Sequence, residues 1–198
     1  MIGTIYIILV FLLSYLIGNI SPATIIASGM GKDIKKEGSG NAGTTNVLRV
    51  LGKKAAAITL VIDIGKGCIA TLLSLILLDE NVAMFGAFFV FIGHVFPVVL
   101  GFKGGKGVAT AFGAILAINP ILALILLAIE ALVVIITRYV SLASMITAFS
   151  FFPLAFMLER DFCVPGICMA VILVFMHRKN IIRLLNGTEN KIFSKEKK

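Results

Sequence analysis

Long apolar runs are the feature that most restricts what this chain can fold into. Of its 198 residues, 59% are hydrophobic and only 14% are charged, whereas a soluble domain is roughly half apolar and about a quarter charged. The mean hydropathy is +1.06. Because about 20 apolar residues cross a bilayer as a helix, the sequence predicts an all-α integral membrane protein and excludes an ordinary soluble domain.

The apolar runs predict a bundle of seven spans in a single domain covering 1–198. The spans are placed at 4–28, 55–78, 82–101, 107–118, 121–137, 139–158 and 162–177. Residues 107–137 are either one long helix or a hairpin that turns at Asn119 and Pro120, a pair that favours a turn. The first run has no positively charged leading region, which predicts a retained span instead of a cleaved signal peptide.

The distribution of basic residues favours the hairpin. With seven spans and the N-terminus outside, nearly all of the 18 Lys and Arg residues fall in cytoplasmic segments, as the positive-inside tendency requires. One span over 107–137 would place the basic C-terminal tail opposite loop 29–54. We therefore expect short spans, glycine-rich cytoplasmic loops, a cytoplasmic C-terminus and a mobile tail at 192–198. The net charge of +8 indicates anchoring to anionic membrane lipid and not nucleic-acid binding.

Three polar segments, all predicted on the cytoplasmic side, carry the functional argument. They are GSGNAGTTNVLR at 38–49, GFKGGKGVAT at 101–110 and HRKNIIRLLNGTENK at 177–191. Glycine has no Cβ, so the backbone of such segments can approach a ligand closely with its N–H groups. The ammonium groups of Lys103 and Lys106 beside these glycines indicate an anion. The sequence therefore predicts a phosphate-bearing substrate at a membrane surface.

Familiar nucleotide and metal motifs do not explain these segments. Gly38, Gly40 and Gly43 match the spacing of a dinucleotide-binding loop, but no predicted strand precedes them. The second segment is not a Walker A loop, because Gly107 stands where Ser or Thr would bind magnesium. The three cysteines lie in apolar runs without metal-ligand spacing. No metal site and no cofactor are predicted.

Together with GHVFP at 93–97, DIGKG at 63–67 and YVSLAS at 139–144, the polar segments resemble the bacterial acyl-phosphate:glycerol-3-phosphate acyltransferase family of integral membrane enzymes. The resemblance extends over about residues 4–191, and Thr44 stands where the family usually has Ala. It implies transfer of a fatty acyl group from acyl phosphate to the 1-hydroxyl of glycerol 3-phosphate. The products are lysophosphatidic acid and inorganic phosphate. It also implies a multi-pass protein of the bacterial inner membrane whose active site faces the cytoplasm.

Both substrates of such a reaction carry a phosphate, so the site must hold two anions close together. Lys106 and Arg49 are predicted to bind the glycerol phosphate, with Ser39 as a neutral donor, and by resemblance His177 joins them as the fourth catalytic residue. The predicted substrate-binding residues lie in or beside the same segments: Asn41, Thr45, Asn46, Lys103, Gly104, Gly105, Ser141 and Asn180.

Three of these residues are assigned to the donor. Lys103, Gly104 and Gly105 are expected to cradle its phosphate, with backbone N–H groups near the developing oxyanion; a tight turn between spans is the alternative for the glycines. Ser141 is either a ligand residue or a contact between packed helices.

The sequence contains no obvious pair of nucleophile and base. An acyl phosphate already has a good leaving group, so direct attack by the glycerol hydroxyl needs no acyl-enzyme. The proton goes either to His177 or to the donor phosphate, and we expect the second. Asp63 and Lys66 are expected to pair within the second span, because an isolated charge there costs about 2.5 to 3.5 kcal/mol. His94 is expected to pack or cap a helix, and the sequence names no partner for Glu130.

A small transporter for a phosphorylated or anionic metabolite is the alternative function. It would need a midplane site and usually an internal repeat, whereas here the motifs are predicted at one face and no repeat relates the halves. A non-catalytic assembly subunit would leave the Gly-Lys loops unexplained. Our central expectation is that the glycine-rich segments come together at the inner leaflet, where their cations bind phosphate esters.

Overall fold

The computed structural model describes residues 2–192, and this part of the chain is helical without any strand. The chain divides into two compact units, Met1–Pro120 and Ile121–Lys198. The assignment of one domain to 1–198 stays a prediction. The predicted mobile tail at 192–198 lies, apart from its first residue, outside the described residues.

Helix α4 is the centre of the first unit. The helices of this unit are α1 (Ile2–Gly18), α2 (Pro22–Gly29), α3 (Thr44–Leu51), α4 (Lys53–Leu77), α5 (Glu80–Val95) and α6 (Val108–Ile118), with a 3-10 helix at Val98–Leu100. Helix α4 contacts each of the other five α-helices. A Cβ on Gly67 would overlap the carbonyl of Thr110, and one on Gly113 would overlap that of Ile64. The missing side chains let α4 and α6 approach closely, as small residues do in membrane bundles.

The first predicted span, 4–28, corresponds to the apolar segment Gly3–Gly29, which contains two helices. Helix α1 ends at Gly18, and Ser21 starts α2 by accepting a hydrogen bond from the backbone N–H of Thr24 at 3.4 Å. Pro22 is the first residue of α2, where its fixed φ is favourable and its missing N–H costs nothing. The third predicted span, 82–101, corresponds to Glu80–Leu100, in which α5 stops at Val95 and a short 3-10 helix follows.

Helices α7 (Pro120–Thr137), α8 (Val140–Leu158), α9 (Cys163–Met176) and α10 (Arg178–Leu185) build the second unit, with a 3-10 helix at Arg160–Phe162. Phe151 of α8 packs edge to face on Phe162, with 5.6 Å between ring centroids. A Cβ on Gly166 of α9 would overlap the ring of Phe151, so this glycine lets α8 and α9 pack closely. The break at Asn119 confirms that 107–137 is not one helix.

Among the described residues, five segments are long and apolar enough to cross a membrane: Gly3–Gly29, Lys53–Leu77, Glu80–Leu100, Pro120–Thr137 and Val140–Leu158. The pair Arg160–Met176 and Arg178–Leu185, bent by 52°, would make a sixth. Helix α6 has 11 residues and is therefore about 16 Å long, well below the roughly 30 Å of a bilayer core. The all-helical class is confirmed for the described residues, whereas the count of seven spans and the orientation stay predictions.

Candidate active site

A buried amide organises the first glycine-rich segment. Asn46, in the first turn of α3, is only 1% exposed. Its Nδ2 donates to the carbonyls of Ile34 at 3.2 Å and Glu37 at 3.0 Å, and its Oδ1 accepts from the N–H of Ser39 at 2.7 Å. A Cβ on Gly38 would overlap this Oδ1. Asn46, predicted to bind substrate, thus has its amide engaged by the loop backbone, and the structure gives it the role of holding that loop in place.

The other predicted residues of this segment differ in exposure. Ser39 and Arg49 are exposed, whereas Asn41 and Thr45 are half-buried. Helix α3 starts at Thr44, and the N-cap residue before it, Gly43, has no side chain to cap the helix. The first N–H groups of an α-helix have no intrahelical acceptor, and the positive end of the helix dipole favours an anion there. The N-terminus of α3 is therefore suited to a negatively charged group.

Backbone packing determines the second glycine-rich segment. The N–H of Gly104 donates to the carbonyl of Val95 at 3.1 Å, and that of Gly105 donates to the carbonyl of His94 at 3.2 Å. A Cβ on Gly105 would overlap the His94 imidazole and lie 3.0 Å from the carbonyl oxygen of Ala42. The predicted cradle needs these two N–H groups for a phosphate, but the structure uses both to close the last turn of α5. The glycines are needed here for close packing.

The two lysines of this segment have different surroundings. Lys103 is exposed, and Lys106 is half-buried. Lys106 precedes Gly107, which has φ +85° and starts α6 without a side-chain cap. A Cβ on Gly107 would overlap the ring of Phe91. Lys106 therefore stands at a second uncapped helix N-terminus, where backbone and side chain both favour an anion.

The first two glycine-rich segments meet within the first unit. A Cβ on Gly105 of the second segment would lie 3.0 Å from the carbonyl oxygen of Ala42 in the first. Just before each segment, Lys35 Nζ donates to the carbonyl of Leu100 at 3.4 Å. Two helix N-termini without a side-chain cap and three cationic residues, Arg49, Lys103 and Lys106, thus belong to one pair of adjacent segments.

The pair predicted from Asp63 and Lys66 is confirmed, and a third residue joins it. Lys66 Nζ lies 2.8 Å from Asp63 Oδ1. His94 Nδ1 lies 2.8 Å from the same ammonium and 3.3 Å from the same carboxylate oxygen. Asp63 and Lys66 lie three residues apart on α4, and this spacing predicted their pairing. His94 belongs to α5, so the same spacing gave no indication of it. Within residues 2–192, no group of three or more His, Cys, Asp or Glu side chains is placed to hold a metal ion.

A carboxylate organises the third segment, in the second unit. Glu189 Oε1 accepts from Ser141 Oγ and from Asn180 Nδ2, both at 2.7 Å, and Oε2 accepts from Arg183 Nε at 2.6 Å. Burial raises the pKa of the Glu189 carboxyl, but the hydrogen bonds from Arg183, Ser141 and Asn180 outweigh burial and hold this pKa below its ordinary value.

Glu189 was missed in the sequence, although a signal existed. It is the only carboxylate in residues 177–191. It brings the predicted residues Ser141 and Asn180 to one acceptor.

His177, predicted to be catalytic, is buried at the junction of α9 and α10. Its Nδ1 lies 2.8 Å from the carbonyl oxygen of Leu173. A carbonyl only accepts, so Nδ1 carries the proton, and the Nε2 of the neutral ring keeps its lone pair. Asn180, three residues later, is buried one turn along α10. Nε2 of His177 is therefore able to accept a proton or a hydrogen bond.

Glu130, for which the sequence named no partner, is held by α8. Ser144 Oγ donates to Glu130 Oε1 at 2.9 Å and lies at the same distance from the carbonyl of Val140. Ser144 of α8 thus binds the Glu130 carboxylate of α7 within the second unit.

Known proteins match this chain over nearly its whole length. The family described as glycerol-3-phosphate acyltransferase matches residues 8–187. A glycerol-3-phosphate acyltransferase of Clostridioides difficile (strain 630) is 46% identical over 200 residues, which cover 96% of this chain and 97% of that protein. Another, from Thermoanaerobacter pseudethanolicus (strain ATCC 33223 / 39E), is 44% identical over 193 residues, covering 96% and 98%.

The fold is similar to crystal structures of PlsY (YgiH), an integral membrane glycerol 3-phosphate acyltransferase. The glycerol 3-phosphate form aligns with a TM-score of 0.90 and 36% identity over 94% of this chain and 95% of that one. The lysophosphatidic acid form aligns with a TM-score of 0.87 and 36% identity over 93% and 94%. These matches confirm the resemblance of the motifs and the helical integral membrane class, and the chain belongs to the glycerol-3-phosphate acyltransferase family.

Proposed function

We propose that this protein transfers a fatty acyl group from acyl phosphate to the 1-hydroxyl of glycerol 3-phosphate, forming lysophosphatidic acid and inorganic phosphate. One observation carries the proposal. Two glycine-rich segments of the first unit meet at Ala42 and Gly105, and each leads into a helix whose N-terminus has no side-chain cap. Such ends bind anions through their free N–H groups and dipole. Arg49 and Lys106 on the same segments add the positive charge that a reaction between two phosphate compounds requires.

The glycerol 3-phosphate is assigned to the two cations. Lys106 and Arg49 bind its phosphate through charge-assisted hydrogen bonds, each contributing about 1.5 to 3 kcal/mol. Ser39, Asn41 and Thr45 supply neutral donors from the first segment.

The donor phosphate is assigned to Lys103 and to the N–H groups at the start of α6, after Gly107. This replaces the cradle expected at Gly104 and Gly105, because their N–H groups already donate to carbonyls of α5.

Residues of the second unit act on the hydroxyl groups of the substrate. Ser141 donates its only hydroxyl proton to Glu189, so toward a substrate its oxygen acts as an acceptor. A glycerol hydroxyl fits this requirement, and an ionised phosphate does not. For His177 and Asn180, the assignment to glycerol 3-phosphate rests on the resemblance of the motifs alone.

The chemical step is a direct displacement. The 1-hydroxyl oxygen of glycerol 3-phosphate attacks the acyl carbonyl, the bond from the acyl carbon to the phosphate oxygen breaks, and phosphate leaves. The hydroxyl proton passes to the departing phosphate, and His177 Nε2 is the alternative acceptor. If His177→Ala abolishes kcat while saturation by glycerol 3-phosphate is unchanged, His177 is the base instead.

We further propose seven spans in the bacterial inner membrane, with the N-terminus outside and the site facing the cytoplasm. The distribution of Lys and Arg supports this topology. Membrane-impermeant thiol labelling of Lys36→Cys, in a chain whose three native cysteines are replaced, tests it. Labelling is expected in inverted vesicles and not in intact spheroplasts, and the reverse pattern would reject the orientation.

The activity is tested with purified protein in detergent, supplied with glycerol 3-phosphate and a long-chain acyl phosphate without divalent cation. One lysophosphatidic acid and one inorganic phosphate are expected per turnover, with no product from acyl-CoA or acyl carrier protein. If no product forms and labelled glycerol 3-phosphate instead accumulates unchanged inside proteoliposomes, the transporter hypothesis replaces this one. Loss of activity on chelation would contradict the absence of a metal requirement.

A further inference from the structure

A buried polar cluster, formed by Asp63, Lys66 and His94, lies against the second glycine-rich segment and has no role in the step above. The three residues are 1%, 4% and 7% exposed. Lys66 Nζ has three acceptors: Asp63 Oδ1 at 2.8 Å, His94 Nδ1 at 2.8 Å and the carbonyl of Ile20 at 2.6 Å. The contact with Asp63 is an ion pair, and those with His94 and Ile20 are hydrogen bonds.

This arrangement assigns the tautomer of His94. Of the two groups that face His94 Nδ1, the Lys66 ammonium at 2.8 Å is nearer than Asp63 Oδ1 at 3.3 Å. Because an ammonium only donates, Nδ1 accepts from Lys66 and the proton of the neutral ring is on Nε2. Nε2 is the atom that a Cβ on Gly105 would overlap. The ring is therefore held by Lys66 at one nitrogen and packed against the Gly105 backbone at the other.

The main chain of His94 reinforces the contact made by its side chain. The His94 carbonyl accepts the N–H of Gly105 at 3.2 Å, so the same residue contacts Gly105 in two ways. Gly105 directly precedes Lys106 in the sequence. Any displacement of the His94 ring is thus passed to the backbone that carries the Lys106 side chain.

A second contact holds the start of this segment from α1. Tyr15 Oη donates to the carbonyl of Phe96 at 2.9 Å and accepts from the N–H of Val98 at 3.1 Å. Lys66 also ties the cluster to the break between α1 and α2 through Ile20. The turn after α5 is thus defined by side chains from α1, α4 and α5.

We propose that Asp63, Lys66 and His94 are positioning residues that set the location of the Lys106 ammonium through the backbone of Gly105. The proposal rests on the proposed function, in which Lys106 binds glycerol 3-phosphate. A buried ion pair seldom stabilises a protein more than apolar side chains of the same volume, whereas its hydrogen bonds have fixed directions. The cluster therefore mainly fixes the position of the segment that carries Gly105 and Lys106, and adds less to the stability of the fold.

Two substitutions of His94 separate positioning from packing. His94→Leu removes the acceptor for Lys66, whereas His94→Asn keeps an acceptor at the δ position. In His94→Leu we expect the KM for glycerol 3-phosphate to rise about tenfold or more, since a small misplacement of a binding group has large kinetic effects. In His94→Asn this KM is expected to stay within about threefold of wild type.

Ser14→Ala is the matched control. Ser14 is 2% exposed, and its hydroxyl lies 3.2 Å from that of Ser74, so it forms another buried polar contact to α4. The KM for glycerol 3-phosphate is expected to match wild type in this variant. If His94→Leu does not yield folded protein, Asp63→Asn, which keeps the size of the side chain, gives the same readout.

A purely structural role predicts a different result. It would lower the folded fraction, and with it the apparent kcat, while the KM for glycerol 3-phosphate stayed unchanged. That result, or wild-type kinetics in every cluster variant, overturns the proposal. Absence of lysophosphatidic acid with the wild-type protein would instead overturn the proposed function, so the two failures are distinguishable.

Discussion

The two polar regions of this protein hold their functional groups in opposite ways. In the first unit, missing side chains determine the geometry: Gly105 packs on His94 and Gly107 packs on Phe91. In the second unit, one carboxylate does so, because Glu189 accepts from three side chains. Adding a side-chain atom to a glycine of the first region should therefore reduce activity. Removing the charge of Glu189 should reduce the stability of the second region.

The two histidines show the same contrast at a single residue type. Both are buried, at 7% exposure for His94 and 2% for His177. Nδ1 of His94 faces the ammonium of Lys66 and must accept, whereas Nδ1 of His177 faces the carbonyl of Leu173 and must donate. In their neutral forms the two rings therefore present opposite groups at Nε2, a donor at His94 and an acceptor at His177.

The largest expected effect comes from adding one methyl group to the first region. Gly105→Ala forces the backbone away from His94, and a shift of about 1 Å at a binding group costs about 100-fold in activity. Acyl transfer to glycerol 3-phosphate measures this. Gly65→Ala is the control, because a Cβ there has nothing within 4 Å and should stabilise α4 by roughly 0.5 to 1 kcal/mol. Equal activity of the two variants would show that the close packing at Gly105 is unimportant.

Removing the charge of Lys106 is expected to have the next largest effect. Lys106→Met eliminates a charge-assisted hydrogen bond of about 1.5 to 3 kcal/mol, which lowers kcat/KM roughly 10- to 150-fold. Steady-state kinetics with varied glycerol 3-phosphate measure the loss. Lys54→Met removes an exposed cation of the same unit and should change kcat/KM less than about twofold. A similar loss in both variants would indicate only general electrostatic attraction.

In the second region, removal of one charge should reduce stability. Glu189→Gln keeps the size of the side chain but leaves Arg183 without its counterion and loses strong acceptors for Ser141 and Asn180. The free energy of unfolding is expected to fall by about 2 to 3 kcal/mol. Thermal unfolding in detergent, followed by circular dichroism, measures it. An unchanged Tm would show that the carboxylate does not organise this region.

The same carboxylate predicts a pH dependence. Its pKa is lower in the folded chain than the ordinary value of 4.5, so its stabilising contribution is complete above 4.5 and is lost as the pH falls towards the folded pKa. The Tm of the wild type should therefore drop more steeply below this pH than that of Glu189→Gln. Parallel pH profiles of the two proteins would contradict this assignment.

The smallest expected effect is the loss of one of the three donors to Glu189. Ser141→Ala removes one hydrogen bond, worth about 1 kcal/mol, and the Tm should fall by roughly 2 to 4 °C in a chain of this size. Ser150→Ala is a suitable control, since the Ser150 hydroxyl only donates to a carbonyl of its own helix at 3.0 Å. A drop as large as that of Glu189→Gln would mean that Ser141 and not the carboxylate is the central group.

Much of the architecture was readable from local patterns. Apolar runs located α4, α7 and α8 to within a few residues, and Asn119 with Pro120 marked the break that separates α6 from α7. The first span was located as well, but not the change from α1 to α2 inside it, where Ser21 starts a new helix within an apolar run. Hydropathy averages over such a residue, whereas a single hydrogen bond at an N-terminus is a local event.

The site was only partly readable. The sequence identified the three polar segments. It did not show that the N–H groups of Gly104 and Gly105 donate to carbonyls at the end of α5. Asn46 was predicted to contact a ligand, and its amide instead contacts three backbone groups of its own loop. In each case the competing partner is a backbone carbonyl or N–H, which every residue type carries and which composition therefore does not reveal.

By itself, the sequence determined that this chain forms apolar helices and that its cations and glycines collect in a few segments. Both properties depend on residue types and their spacing along the chain. Tertiary structure alone decided which partner each polar group has, as with His94 on Lys66 and Glu189 on Arg183. The physical reason is that a hydrogen bond depends on distance and direction between atoms far apart in sequence, and these are defined only when the helices have packed.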